Sequence, residues 1–266
     1  MNKHLVCYLK SFDLDGQFWK TFLLDLITIG LILVIFFSFT GFLNMQAEKM
    51  NGGLSSEELK VQLLEGSGNF NQEYLNKTRA FALIFSIGSI LVILGTLFLF
   101  SYSRKLVWQV YTNKKSKYWK WNWVSLILIL ASVIYFLLVS VIELLINMIF
   151  NITNQVVYFY FSKTINSIFL FIYLIFMFFT FIHFNSSYKV WASFNSAFKL
   201  IRRKWPDLWM AFLFIMLTAG VYSFITYFIQ KAMIYQPEVR RAVVSGIVLL
   251  FLIAWMRKYI FSVVKE

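Results

Sequence analysis

One cysteine, two prolines, two histidines and twelve acidic residues are spread over 266 residues, and each shortage closes a class of structure. A lone Cys7 cannot build an intramolecular disulfide framework or a cysteine-based zinc cluster. With so little proline, long helices meet few interruptions. Charged residues make up only 14% of the chain, against about 25% in an ordinary soluble domain. No Gly-rich phosphate loop, HExxH, GxSxG or paired-carboxylate motif occurs. No residues assemble a metal or cofactor site; His4 and Cys7, at i, i+3 spacing, supply only two candidate ligands near a chain end. An intramembrane protease or a metal-dependent lipid enzyme therefore has few residues to work with.

What the chain has in excess is apolar surface. Hydrophobic residues reach 60%, Phe alone counts 31, and mean hydropathy is +0.70. A hydrocarbon layer about 30 Å thick takes roughly 20 residues of helix. Six stretches qualify: residues 21–43, 80–101, 123–146, 165–184, 207–229 and 242–260. A barrel needs alternating polarity, and Leu126-Ile127-Leu128-Ile129-Leu130 has none. The expected fold is all-α: a single polytopic transmembrane domain over residues 1–266. The first span is too long for a signal-peptide core and reads as a retained anchor.

The net charge of +13 follows the same layout. Segments before span 1, between spans 2 and 3, between spans 4 and 5, and at the end of span 6 hold 17 of the 25 basic residues. With acidic residues included that side carries +13 and the other +1. The positive-inside rule then predicts a plasma-membrane protein with both termini cytoplasmic. It also explains the basic, aromatic connections without nucleic acid as a partner.

Trp and Lys open the odd spans and close the even ones, as in Trp119-Lys120-Trp121 and Tyr188-Lys189-Val190-Trp191. This layout fits either a threefold repeat of interfacial segment plus helical hairpin, or the ordinary gathering of such residues at an interface. Trp191, Phe194, Phe198 and Ile201 recur at helical spacing beside Lys199, Arg202 and Arg203, which predicts an amphipathic interfacial helix. A second, less regular interfacial segment is expected over residues 106–118. Arg104, Lys105, Lys199, Arg202, Arg203 and Lys204 are the candidate contacts to anionic lipid. The loop over residues 44–79 should hold one short helix at 56–65, capped by Ser55 and Glu58.

Several spans carry polar or small residues in one stripe. These include Ser125, Ser132, Ser140, Glu143 and Asn147 in span 3, and Ala219, Ser223, Thr226 and Gln230 in span 5. Helix–helix contact is the favoured reading, a polar pathway the rival. Ala242 and Gly246 have small-xxx-small spacing in span 6. Glu143 and Lys163 lie ten residues either side of Thr153, so a tight hairpin brings them to similar depth. With Asn147 and Asn166 they form the candidate intramembrane polar site. Asp25, near the opposite boundary, is expected to pair with a base there.

Phe/Ile/Lys/Asn-rich usage, the loop sequence Leu54-Ser55-Ser56-Glu57-Glu58-Leu59 and the span ending Ser101-Tyr102-Ser103-Arg104-Lys105-Leu106-Val107-Trp108 together resemble uncharacterised six-span integral membrane proteins of AT-rich prokaryotes, notably small-genome archaea. That resemblance covers the layout of the whole chain and implies no catalytic residue. Three functions stay open: a non-enzymatic scaffold or accessory subunit, a transporter or permease subunit, and a lipid-modifying enzyme. Partners are expected to be membrane lipids and either a second protein or another copy of the chain.

Overall fold

In the computed structural model, residues 3–51, 72–113, 117–150 and 155–265 are described, and among them every regular element is a helix. The expected helix at 56–65 lies outside these residues. Eight helices follow in chain order: α1 (Lys3–Ser11), α2 (Gly16–Asn51), α3 (Gln72–Thr112), α4 (Tyr118–Phe150), α5 (Gln155–Ser187), α6 (Val190–Arg203), α7 (Trp205–Ala232) and α8 (Glu238–Lys265). Six of them, α2 to α5, α7 and α8, are long and apolar enough to cross a membrane. Each contains one of the expected spans and runs past it. The protein is a multi-pass membrane protein.

Local chemistry accounts for the ends. The Asp15 carboxylate accepts the Phe18 N–H at 2.8 Å and caps α2, meeting one of the donors that a first turn leaves bare. Asn113, at φ 54°, ends α3 in the left-handed region, and its N–H bonds the Gln109 carbonyl at 2.8 Å. Tyr188, at φ 53°, ends α5 in the same way despite its bulk. Pro206 sits in the first turn of α7, where a missing N–H costs nothing.

The described chain divides into two compact units. Residues Ile27–Phe100, the body of the α2/α3 hairpin, form one of them. Its described side chains are largely exposed, as lipid-facing surfaces of membrane helices are. Within it the Phe39 ring lies over Gly88, where any Cβ would collide with the ring.

The other unit comprises Met1–Leu26 and Ser101–Glu266. Here α4 packs on α5, α5 on α6 and α8, α7 on α8, and short α1 against both α7 and α8. The core does not run the length of the helices. It gathers at the end holding α1, the last turns of α3 and α8, and the first turns of α4 and α7. Trp108, Trp121, Trp255, Tyr259 and Phe178, Phe179, Phe181 and Phe184 are fully buried there. Trp121 meets Phe184 edge-on at 5.0 Å, and Trp255 stacks on Tyr259 at 5.6 Å. Such pairs add about 0.5–1.5 kcal/mol beyond the area they bury.

Two expectations need correcting. Leu106–Thr112 is no separate interfacial helix; it continues α3, because Val107, Trp108 and Tyr111 fall on one face and enter the core. Short helices thus precede α2 and α7, but among the described residues none precedes α4, so the threefold layout holds only in part. Ala242 and Gly246 also make no close helix contact: both are exposed, with open space around Gly246.

Replacing Asp15 by alanine removes the α2 cap together with the Lys258 ion pair at 3.3 Å. A loss of about 1 kcal/mol is expected from the cap alone. Thermal unfolding in detergent measures it, and an unchanged midpoint would show that α2 needs no side-chain cap.

Candidate functional site

The strongest electrostatic feature lies inside the packed end. Asp25 of α2 stands between Arg104 of α3 and Arg257 of α8. One carboxylate oxygen accepts a bond from Arg104 Nη2, the other from Arg257 Nη1 at 2.8 Å. The side chains are 3%, 9% and 0% exposed, so water supplies almost no compensation. Arg104 also donates to Ser103 Oγ at 3.3 Å, and the Arg257 guanidinium lies 5.7 Å from the Tyr111 ring centre. Thr21 and Tyr111 hydroxyls meet at 3.3 Å beside this group.

Sequence reasoning expected Asp25 to find a base, and it finds two, from helices remote in the chain. Arg104, expected among lipid headgroups, is instead buried. Its position on α3 turns it toward Asp25, and the ion pair offsets the loss of hydration. Arg257 was counted only as one charge of the basic side. Its lack of any acidic neighbour in sequence hid the role.

The last turns of α8 also hold the N-terminal segment. Trp255 Nε1 donates to Ser11 Oγ at 2.9 Å, and Lys258 bonds the Asp13 carbonyl. Tyr8 meets Thr218 of α7 at 2.9 Å. Asp25, Arg104 and Arg257 thus act as a clamp between α2, α3 and α8, and these further contacts tie the N-terminal segment to α7 and α8.

The residues of the expected intramembrane site separate into two places. Glu143 is buried and accepts a bond from Asn166 Nδ2 at 3.1 Å. Asn166 also donates to the Ser162 carbonyl at 3.0 Å. Asn147, one turn past Glu143, is half-buried. Lys163 is exposed and forms no ion pair with Glu143. On α5 it faces a different space from Asn166, an open cleft of about 730 Å³ lined by α5, α7 and α8. Ala219, Ser223, Thr226 and Gln230, read from sequence as one stripe, all line this cleft, whereas Glu143 does not. In span 3, Ser132 and Ser140 bond back to carbonyls of their own helix.

The remaining candidate lipid contacts lie near the packed end. Lys199, Arg202 and Arg203 of α6 are exposed, Lys204 is half-buried, and Lys105 lies 5.8 Å from the Tyr102 ring centre. The face of α6 that enters the protein is Ser193, Ala197 and Leu200; Trp191 and Phe198 point away from it, 75% and 62% exposed. Small residues fit that helix close against its neighbours, and the two large aromatics are left outside. Among the described residues no three His, Cys, Asp or Glu side chains come together as a metal site.

Substituting Asp25 by asparagine keeps the shape and strips the charge from between two buried guanidinium groups. Breaking such a pair costs about 3–5 kcal/mol. A large fall in the detergent unfolding midpoint is expected. Adding Arg104→Met should cost less than the sum of the two single substitutions. Additive losses would show that Asp25 and Arg104 act separately.

No family model, no curated protein and no solved structure matches the chain.

Proposed function

We propose that this protein is a non-enzymatic scaffold or accessory subunit of the plasma membrane, with both termini cytoplasmic. The observation that carries the reading is the buried, ion-clamped base of the bundle. Charged groups there hold α2, α3 and α8 together, and fully buried aromatic side chains pack at the same end. Around that base, Lys199, Arg202 and Arg203 stand exposed beside Trp191 and Phe198. Exposed bases next to exposed aromatics suit an amphipathic helix seated in anionic headgroups.

The rival reading, a transporter or permease subunit with a site near Glu143 and Lys163, needs one cavity serving both residues. The cleft contains Lys163 and omits Glu143, whose carboxylate is engaged by Asn166. That separation favours the scaffold.

Purification in mild detergent with mass spectrometry of bound species tests this function. A stoichiometric protein partner or a stable self-assembly is expected, with acidic lipid enriched. A lone chain with no enriched lipid overturns the proposal. Orientation has its own test in a Cys7→Ser background. Cysteine at position 235, where Tyr235 is 97% exposed, should react with an impermeant maleimide on intact cells. Cysteine at position 199 should react only after lysis. The reverse pattern would invert the topology.

A further inference from the structure

The cleft between α5, α7 and α8 has a direction. On α5, its lining changes from Tyr160, Lys163, Thr164 and Ser167 to Leu170 and Phe171. On α7, which runs the opposite way, Gln230, Thr226 and Ser223 lead down to Ala219 and Met216. On α8, Ser245 comes first, then Val248, Leu249 and Leu252. All three helices grade from polar to apolar in the same sense, away from the α7–α8 turn and toward the packed core. From residue 160 to 171 the helix rises roughly 16 Å, the scale of a long acyl chain.

The polar end carries one sign of charge. Among the described residues that line the cleft, Lys163 is the only basic side chain and none is a carboxylate. The hydroxyls of Thr164, Ser167 and Thr226 bond back to carbonyls of their own helices, which leaves their oxygens able to accept but commits their protons. Gln230 donates to Ser245 at 3.0 Å and links α7 to α8 at the mouth. A volume of about 730 Å³ falls within the range of ordinary ligand sites, about 300–1,000 Å³.

We infer that this cleft is a binding site for one acidic phospholipid, its anionic headgroup at Lys163 and an acyl chain on the apolar floor. A lone anion would meet one lysine and gain nothing from the depth. An uncharged amphiphile would leave that lysine unanswered at the edge of the hydrocarbon. The inference stands apart from the scaffold reading, because the cleft lies away from the basic α6 surface and would bind lipid whatever the protein's larger role.

Gly220 supplies the means of testing it. It lines the cleft, and a Cβ added there meets nothing within 4 Å. Gly220→Leu should therefore fill the site while the packed core stays intact, with an unchanged unfolding midpoint in detergent as the check. The probes are dioleoyl phosphatidylglycerol, phosphatidylcholine with the same chains, and free glycerol phosphate, titrated into the full chain and read by native mass spectrometry.

One tightly bound phosphatidylglycerol is expected, preferred over phosphatidylcholine. Lys163→Gln should weaken it about tenfold and abolish the preference, as loss of one charge-assisted contact would. Gly220→Leu should remove it. The triple variant Lys199→Gln, Arg202→Gln, Arg203→Gln should retain it, which separates this site from lipid at the α6 surface. Glycerol phosphate should not compete. Equal binding of both lipids, binding that survives Lys163→Gln and Gly220→Leu together, or competition by glycerol phosphate alone would each overturn the assignment.

Discussion

A single carboxylate sets the arrangement of the packed end. Asp25 faces two guanidinium groups where water is nearly absent, and an unpaired charge at that depth would cost several kcal/mol. Only one rotation of α2, α3 and α8 about their axes brings the three side chains together. The aromatic core then packs against helices whose faces are already chosen: Phe18 from α2, Trp108 and Tyr111 from α3, Trp255 and Tyr259 from α8. A carboxylate between two guanidinium groups leaves one positive charge over. The Tyr111 ring, 5.7 Å from Arg257, offers its electron-rich face to part of that excess.

Order at one end shapes what is possible at the other. In water, helices are driven together along their whole apolar length, but lipid tails remove that force, and contact must come from close packing and polar bonds. The unit containing the clamp shows this gradient. Near α1 its helices share buried rings and ion pairs; near the α7–α8 turn, Ser223, Thr226 and Gly220 are too small to fill the space that α5 and α8 bound. A cleft results, with hydroxyls at its mouth because those residues can satisfy their protons on their own backbone. A polar stripe on a membrane helix thus marks space as readily as contact. For α7, the stripe Ala219, Ser223, Thr226 and Gln230 lines space.

Six spans were legible because bilayer thickness imposes a length on each, and no tertiary information is needed to see it. Which residues meet was legible only where a short hairpin restricts the choice. Packing of α4 on α5 brings Glu143 near the right region of α5, yet sequence spacing cannot tell Lys163 from Asn166, three residues on. The two sit about 60° apart on the helix, enough to send one to the carboxylate and the other into the cleft. In α6 the sequence marks the periodic aromatics as the apolar face of an interfacial helix, but does not single out Ser193, Ala197 and Leu200, the face that enters the protein. Beside a membrane, large aromatics such as Trp191 and Phe198 lose little by facing lipid, and both are exposed.

The same logic divides the basic residues. Counting Lys and Arg treats every base near a boundary alike, yet Arg104 is buried while its neighbour Lys105 is half-exposed beside Tyr102. Adjacent positions point about 100° apart, so only one of the two can face Asp25. Chemistry agrees with which one does. A guanidinium is less strongly hydrated than an ammonium and offers several donors in one plane, so it gives up water at lower cost and engages a carboxylate directionally. Both buried bases of the clamp are arginines, and Lys258, next in sequence to Arg257, keeps to the margin with Asp15. The charge that orients a membrane protein and the charge that holds it together can thus be drawn from one short run of sequence. Helix phase and the choice between Arg and Lys decide which is which.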